Sequence, residues 1–102
     1  MGESRRVRIL VWHSATEDRR ALEETYHEVS RKLAGTPGLI GNELWRSATD
    51  PAVYAIMSEW EDMESFQSWA DNARQHEVTT PLRRFRRATD RAAEIYEVTA
   101  AY

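Results

Sequence analysis

From Val7 to His13 the chain reads VRILVWH, a run rich in β-forming residues, which predicts a strand. Ile9 and Val11 fall on one alternation and Leu10 and Trp12 on the other, so both faces of that strand are apolar. The period then changes. Leu22, Tyr26, Val29 and Leu33 recur at helical spacing, and Ser14 with Glu17 has the form of a capping box ahead of them. Gly35, with Pro37 and Gly38 close behind, ends this helix. LIGNELWRS (Leu39–Ser47) and AVYAIMSEW (Ala52–Trp60) read as two further strands, joined through ATDP as an antiparallel hairpin. Asp62 is a helix cap, followed by an apolar stripe at Met63, Phe66, Ala70 and Ala73 and an adjacent one at Phe66, Trp69, Ala73 and His76. On an unbroken helix Trp69 and His76 would lie one above the other; a break near Asn72 would separate them. Thr80 and Pro81 open a short Arg-rich helix carrying Leu82 and Phe85, and AAEIYEVTAAY (Ala92–Tyr102) alternates as a last strand.

The order β-α-β-β-α-β predicts an α+β fold, a ferredoxin-like sandwich of one antiparallel sheet with helices on one face. No repeat or linker divides the chain, so residues 1–102 are expected to form a single domain. Strand three repeats the pattern of strand one, with Tyr54 and Ile56 opposing Val53, Ala55 and Met57. Two helices cover one side of a sheet. The other side is expected to pack on an identical subunit, forming a homodimer.

Composition sharpens this picture. Four Trp, four Tyr and two Phe in 102 residues are more large rings than one thin core readily hides. The absence of cysteine removes thiolate metal sites and cysteine nucleophiles, and with no apolar run of membrane-spanning or signal-peptide character the expected location is the cytoplasm, without membrane contact. A net charge of −3 argues against nucleic acid as a partner, and the cluster Arg83, Arg84, Arg86, Arg87 and Arg91 reads as a solvated face. The three histidines have no metal-ligand spacing, the four glycines form no phosphate cradle, and no GxSxG elbow occurs. His13, ending strand one, reads as a capping or surface residue, and His27 as solvent-facing.

The segments PGLIGNELWRS, SEWED, MESFQSW and ARQHE resemble the antibiotic biosynthesis monooxygenase family, dimeric α+β barrels, over roughly residues 7 to 100. The strand-ending pair Trp60-Glu61, followed by a helix bearing Phe66, is its most specific part. The resemblance implies a cofactor-independent monooxygenase that converts an aromatic polyketide-like or phenolic substrate with dioxygen in secondary metabolism. It also implies site residues: His76 as base, Trp60 and Trp69 as indole donors and walls, and Trp12, Tyr54, Phe66 and Asn72 as substrate-binding residues. Phe66 stands where that branch can carry a tyrosine, and Ile56 where it carries an amide, so two hydrogen-bonding groups are missing. Two alternatives remain open. One is a polyketide cyclase-like or ligand-binding module without redox chemistry. The other is a haem-binding or haem-degrading protein with His76 as axial ligand, although Leu10 or a neighbour replaces the strand-one asparagine of that branch.

Overall fold

The computed structural model describes residues 5–15, 18–87 and 93–102. Four strands, β1 (Val7–Ser14), β2 (Leu39–Arg46), β3 (Val53–Trp60) and β4 (Glu94–Glu97), form one antiparallel sheet in the order β2-β3-β1-β4. Helix α1 (Arg19–Leu33) follows β1. After β3 come α2 (Met63–Ala70), α3 (Ala73–Thr79) and a 3-10 segment (Thr80–Phe85). This is the ferredoxin-like α+β arrangement the alternation predicts. No helix among the described residues is long and apolar enough to cross a membrane.

Register explains how the faces are filled. Ile9 lies opposite Ser58, Val11 opposite Ile56 and His13 opposite Tyr54, which places these six residues on the helix-bearing side. Leu10 opposite Met57 and Trp12 opposite Ala55 fall on the other side, where β2 adds Trp45, 43% exposed, and β4 adds Tyr96, 49% exposed. That side carries no helix among the described residues.

Several boundaries differ from expectation. Ser14 stays in β1, paired with Val53, so it cannot cap α1; Asp18 does, accepting from the Ala21 amide at 3.0 Å. Glu17 and Arg91 lie outside the described residues, as does Ala92 at the start of the expected last strand. Met63 is 41% exposed and does not share the buried stripe. The largest departure is the helix after Asp62. It stops at Ala70, Asp71 forms the C-cap, and Asn72 starts α3 by accepting from the Arg74 amide at 3.0 Å. An Asn that can serve as N-cap competes with continued helix at that position. The break removes the direct stacking of Trp69 and His76 along one helix. Thr80 likewise is not the N-cap of the 3-10 segment but its first residue, closing α3 instead, and Thr79 takes the N-cap position.

The core between sheet and helices falls into two clusters. One gathers Ala15, Leu22, Val29, Tyr54 and Leu82; the other gathers Val7, Ile9 and Trp60, flanked by Phe66 and Trp69. A hollow separates them.

Candidate functional site

That hollow has a volume of about 400 Å³, within the range of small-ligand sites, and takes wall from both clusters: Val29 and Leu82 of one, Ile9 and Trp60 of the other. Its aromatic end is built by β3 and α2. Trp60, 1% exposed, closes the end of the strand, and Asp62 starts α2 immediately afterwards by accepting from the Ser65 amide at 2.7 Å. One turn on, Phe66 meets Trp60 edge-on with centroids 5.7 Å apart, and Trp69 meets it at 5.3 Å and 43°. The Trp60 indole N–H donates to Ser58 Oγ at 3.0 Å. The Trp69 indole N–H is buried and has no hydrogen-bond partner among the described residues. A buried donor without an acceptor is costly, so the wall holds an unmet hydrogen bond.

A polar edge faces this from α1 and β2. Tyr26 donates its hydroxyl to Asn42 Oδ1, and Ser30 donates to the same oxygen at 3.1 Å. All three residues line the hollow. They join α1 to the sheet and give a guest polar atoms along one rim.

The third element is His13. It is 3% exposed, the buried polar residue of the described core, and lines the hollow. Its Nδ1 lies 2.9 Å from the Val11 carbonyl. A carbonyl only accepts, so Nδ1 carries the hydrogen and the neutral ring keeps its lone pair at Nε2. Burial pushes the imidazole below its ordinary value of 6.5; the Val11 hydrogen bond opposes this and the nearby Arg86 charge adds to it. Arg86 is placed by backbone pairing, since it bridges to His13 and the Arg87 amide donates to the Trp12 carbonyl at 3.2 Å. Arg83 and Arg86 both contribute to the rim, and no Asp or Glu occurs among the described lining residues.

Of the residues singled out from sequence, Trp60, Trp69, Phe66 and His76 come together around the hollow. His76 reaches it despite the helix break, as an exposed residue of α3 whose Nε2 donates to the Ala70 carbonyl. Trp12, Tyr54 and Asn72 are not in its lining. Alternation turns Trp12 to the opposite sheet face. Tyr54 is buried in the Leu22 cluster with its hydroxyl 3.4 Å from Glu23, and Asn72 is an exposed cap. His13, Tyr26, Ser30, Asn42 and the two rim arginines were missed. For His13 the signal was present, because it continues the Val7, Ile9, Val11 alternation onto the helix side.

Fold and hollow together define a small ferredoxin-like α+β protein with an aromatic-walled cavity. Residues 7–80 match the antibiotic biosynthesis monooxygenase family, and the chain belongs to that family. The protein SchA of Streptomyces halstedii is 31% identical over 85 residues, 82% of this chain and 22% of its own length. The chain thus spans about a fifth of that relative. Among solved structures, SnoaB, a cofactor-independent oxygenase from Streptomyces nogalater, superimposes with a TM-score of 0.72 at 17% identity, covering 97% of this chain and 96% of SnoaB. A putative antibiotic biosynthesis monooxygenase from Nitrosomonas europaea gives 0.74 at 16% identity, covering 97% and 95%. At these identities the two superpositions speak to the fold.

Proposed function

We propose that the protein is a cofactor-independent monooxygenase of secondary metabolism acting on a flat phenolic or polyketide-like molecule, with dioxygen as oxidant. The observation that carries this reading is the buried, unpartnered Trp69 indole N–H in a wall otherwise built from Trp60 and Phe66. Flat aromatic walls suit a fused-ring guest, and an unmet donor suits an oxygen atom on which negative charge develops. The arginines on the rim, with no carboxylate in the described lining, favour the same anionic species.

In the proposed reaction an acidic methylene of the substrate loses a proton, and its electrons pass to dioxygen as a C–O bond forms. The second C–H bond and the O–O bond then break. One oxygen atom stays as the quinone carbonyl and the other leaves as water. The substrate supplies the electrons, so the protein contributes binding, proton transfer and oxyanion stabilisation.

The test is oxygen uptake and ¹⁸O₂ incorporation with an anthrone-type substrate in the presence of chelator. The expected result is one labelled oxygen in the quinone and a loss of roughly a hundredfold in rate for Trp69→Phe, the size of effect seen when one oxyanion donor is removed. A ring-closed product without label would replace this reading with a cyclase. A Soret shift on titrating haemin, abolished in His76→Ala, would replace it with haem binding.

A further inference from the structure

We propose that His13, rather than His76, is the catalytic base that takes the proton from the bound substrate. The inference rests on the oxygenase reading for its substrate class and on the structure for the residue. Two histidines line the hollow, and their surroundings differ in the features a base needs. His13 is buried, at 3% exposure, on the central strand β1, so its ring is held against a guest and away from bulk water. Its Nδ1–H is committed to the Val11 carbonyl at 2.9 Å, which fixes the tautomer and leaves Nε2 as the accepting nitrogen. Nε2 has no hydrogen-bond partner among the described residues. His76 has the opposite arrangement. It is exposed on a short helix, and the nitrogen it engages is Nε2, given to the Ala70 carbonyl.

Charge around His13 supports the same assignment. The ionisable groups sharing its hollow are Tyr26 from α1, His76 from α3, Arg83 from the 3-10 segment and Arg86 just beyond it. Two of these are fixed cations and none is a carboxylate. A cationic imidazolium is therefore disfavoured at rest, and the ring waits in its neutral, proton-accepting form. Once the substrate C–H breaks, the electron pair stays on the ring carbon and spreads to the conjugated carbonyl as an enolate. The new N–H at Nε2 then faces an anion, so the imidazolium gains the counter-charge it lacked. The proton is returned when the departing oxygen leaves as water. The base is thus restored without any group outside the hollow.

The experiment isolates proton transfer from oxygenation. Anthrone is incubated with the full chain in D₂O without oxygen, and loss of its methylene protons is followed by NMR beside a buffer blank. Wild type is expected to accelerate exchange, and His13→Gln to lose about a hundredfold of that acceleration. His27→Gln, on the solvent side of α1, serves as the unchanged control. The acceleration should fall as pH drops and protonates His13, and this dependence should be absent from His13→Gln. Added imidazole should restore part of the exchange in His13→Ala. Exchange in His13→Gln equal to wild type, or no acceleration by wild type at all, overturns the assignment. Exchange that depends on His13 without later oxygen uptake upholds the base and removes the oxygenase reading; uptake with exchange indifferent to His13 does the reverse. Should the variants fail to fold by circular dichroism, ¹⁵N correlation spectra of the wild-type imidazole decide. A protonated Nε2 in the neutral ring refutes the proposal, and a bare Nε2 that shifts when a hydroxyanthraquinone binds upholds it.

Discussion

Substituting Gly38 with alanine tests how tightly the aromatic end of the hollow is built. Gly38 sits at φ +81, a left-handed backbone that costs an alanine about 1–2 kcal/mol. Gly35, at φ +85, carries the same penalty with open space around its missing Cβ. A Cβ on Gly38 would stand 2.3 Å from the Ser65 Cβ and 2.4 Å from its Oγ. Ser65 cannot easily retreat. Its amide is held by Asp62 at 2.7 Å, and the Gly38 carbonyl accepts from the Glu61 amide at 2.8 Å, so both sides of the contact are pinned. Forcing a methyl into such a place costs about 1–3 kcal/mol beyond the backbone term. Gly38→Ala should therefore lose roughly 2–5 kcal/mol, and Gly35→Ala only about 1–2 kcal/mol. For a domain of this size that corresponds to Tm falling by roughly 8–40 °C and 4–16 °C respectively. The assay is thermal melting by circular dichroism, with the near-ultraviolet band reporting the Trp60, Phe66 and Trp69 cluster. Ser65→Gly in the Gly38→Ala background should recover the steric part, whereas Ser65→Ala, which keeps its Cβ, should not. Equal Tm losses for Gly35→Ala and Gly38→Ala would refute the reasoning.

Three further outcomes follow from charge and from the bare sheet face. His13 is held below 6.5 when folded, chiefly by burial, so below that pH the unfolded chain binds more protons and stability should fall, levelling off once the folded ring also protonates. Melting from pH 7.5 to 5 should show this decline in wild type and not in His13→Gln; parallel curves would contradict it. Asp62 is lowered from 3.8 by accepting from the Ser65 amide, with a side-chain bond from Ser65 adding to it. Its contribution is present above 3.8 and lost as pH falls through the folded value, so wild type and Asp62→Ala should differ at neutral pH and converge in acid. The apolar face bearing Leu10, Trp12, Met57 and Trp45 should pair with a second copy, giving by light scattering twice the 11.9 kDa of the chain. Trp12→Glu should halve that mass, and a monomeric wild type at micromolar concentration would end the proposal.

Most of the fold was legible because the β-rich runs of β1, β2 and β3 contrast with the helical spacing of Leu22, Tyr26, Val29 and Leu33, so element type and order could be read along the chain. The Asp62 cap and the Gly35 stop were equally readable, each being a local signal with its own chemistry. Competition between signals hid the rest. Ser14 looks like a cap but keeps its place in the ladder opposite Val53, and Asn72 looks like a mid-helix residue but starts a new helix. The site was half legible. The rings of Trp60, Phe66 and Trp69 announce themselves by size and spacing. The Tyr26, Ser30 and Asn42 edge depends on two elements meeting across the sheet, which no local pattern encodes. His13 was legible in principle, but its position at a strand end made a surface role look sufficient.

The break at Asp71 and Asn72 bears on how the covering of the hollow can vary. Both residues are exposed, and each flanking helix has its own cap, so the covering over the hollow consists of two planks joined at a hinge of two residues. The first plank holds the indole corner; the second brings His76 to the lining. Extra residues spliced at the joint would leave the Asp62 and Asn72 caps in place but break the bonds that tie one plank to the other, from His76 to the Ala70 carbonyl and from the Asn72 amide to the Trp69 carbonyl. Descendants or engineered versions could thus shift His76 at the rim while the corner built from Trp60, Phe66 and Trp69 is inherited unchanged.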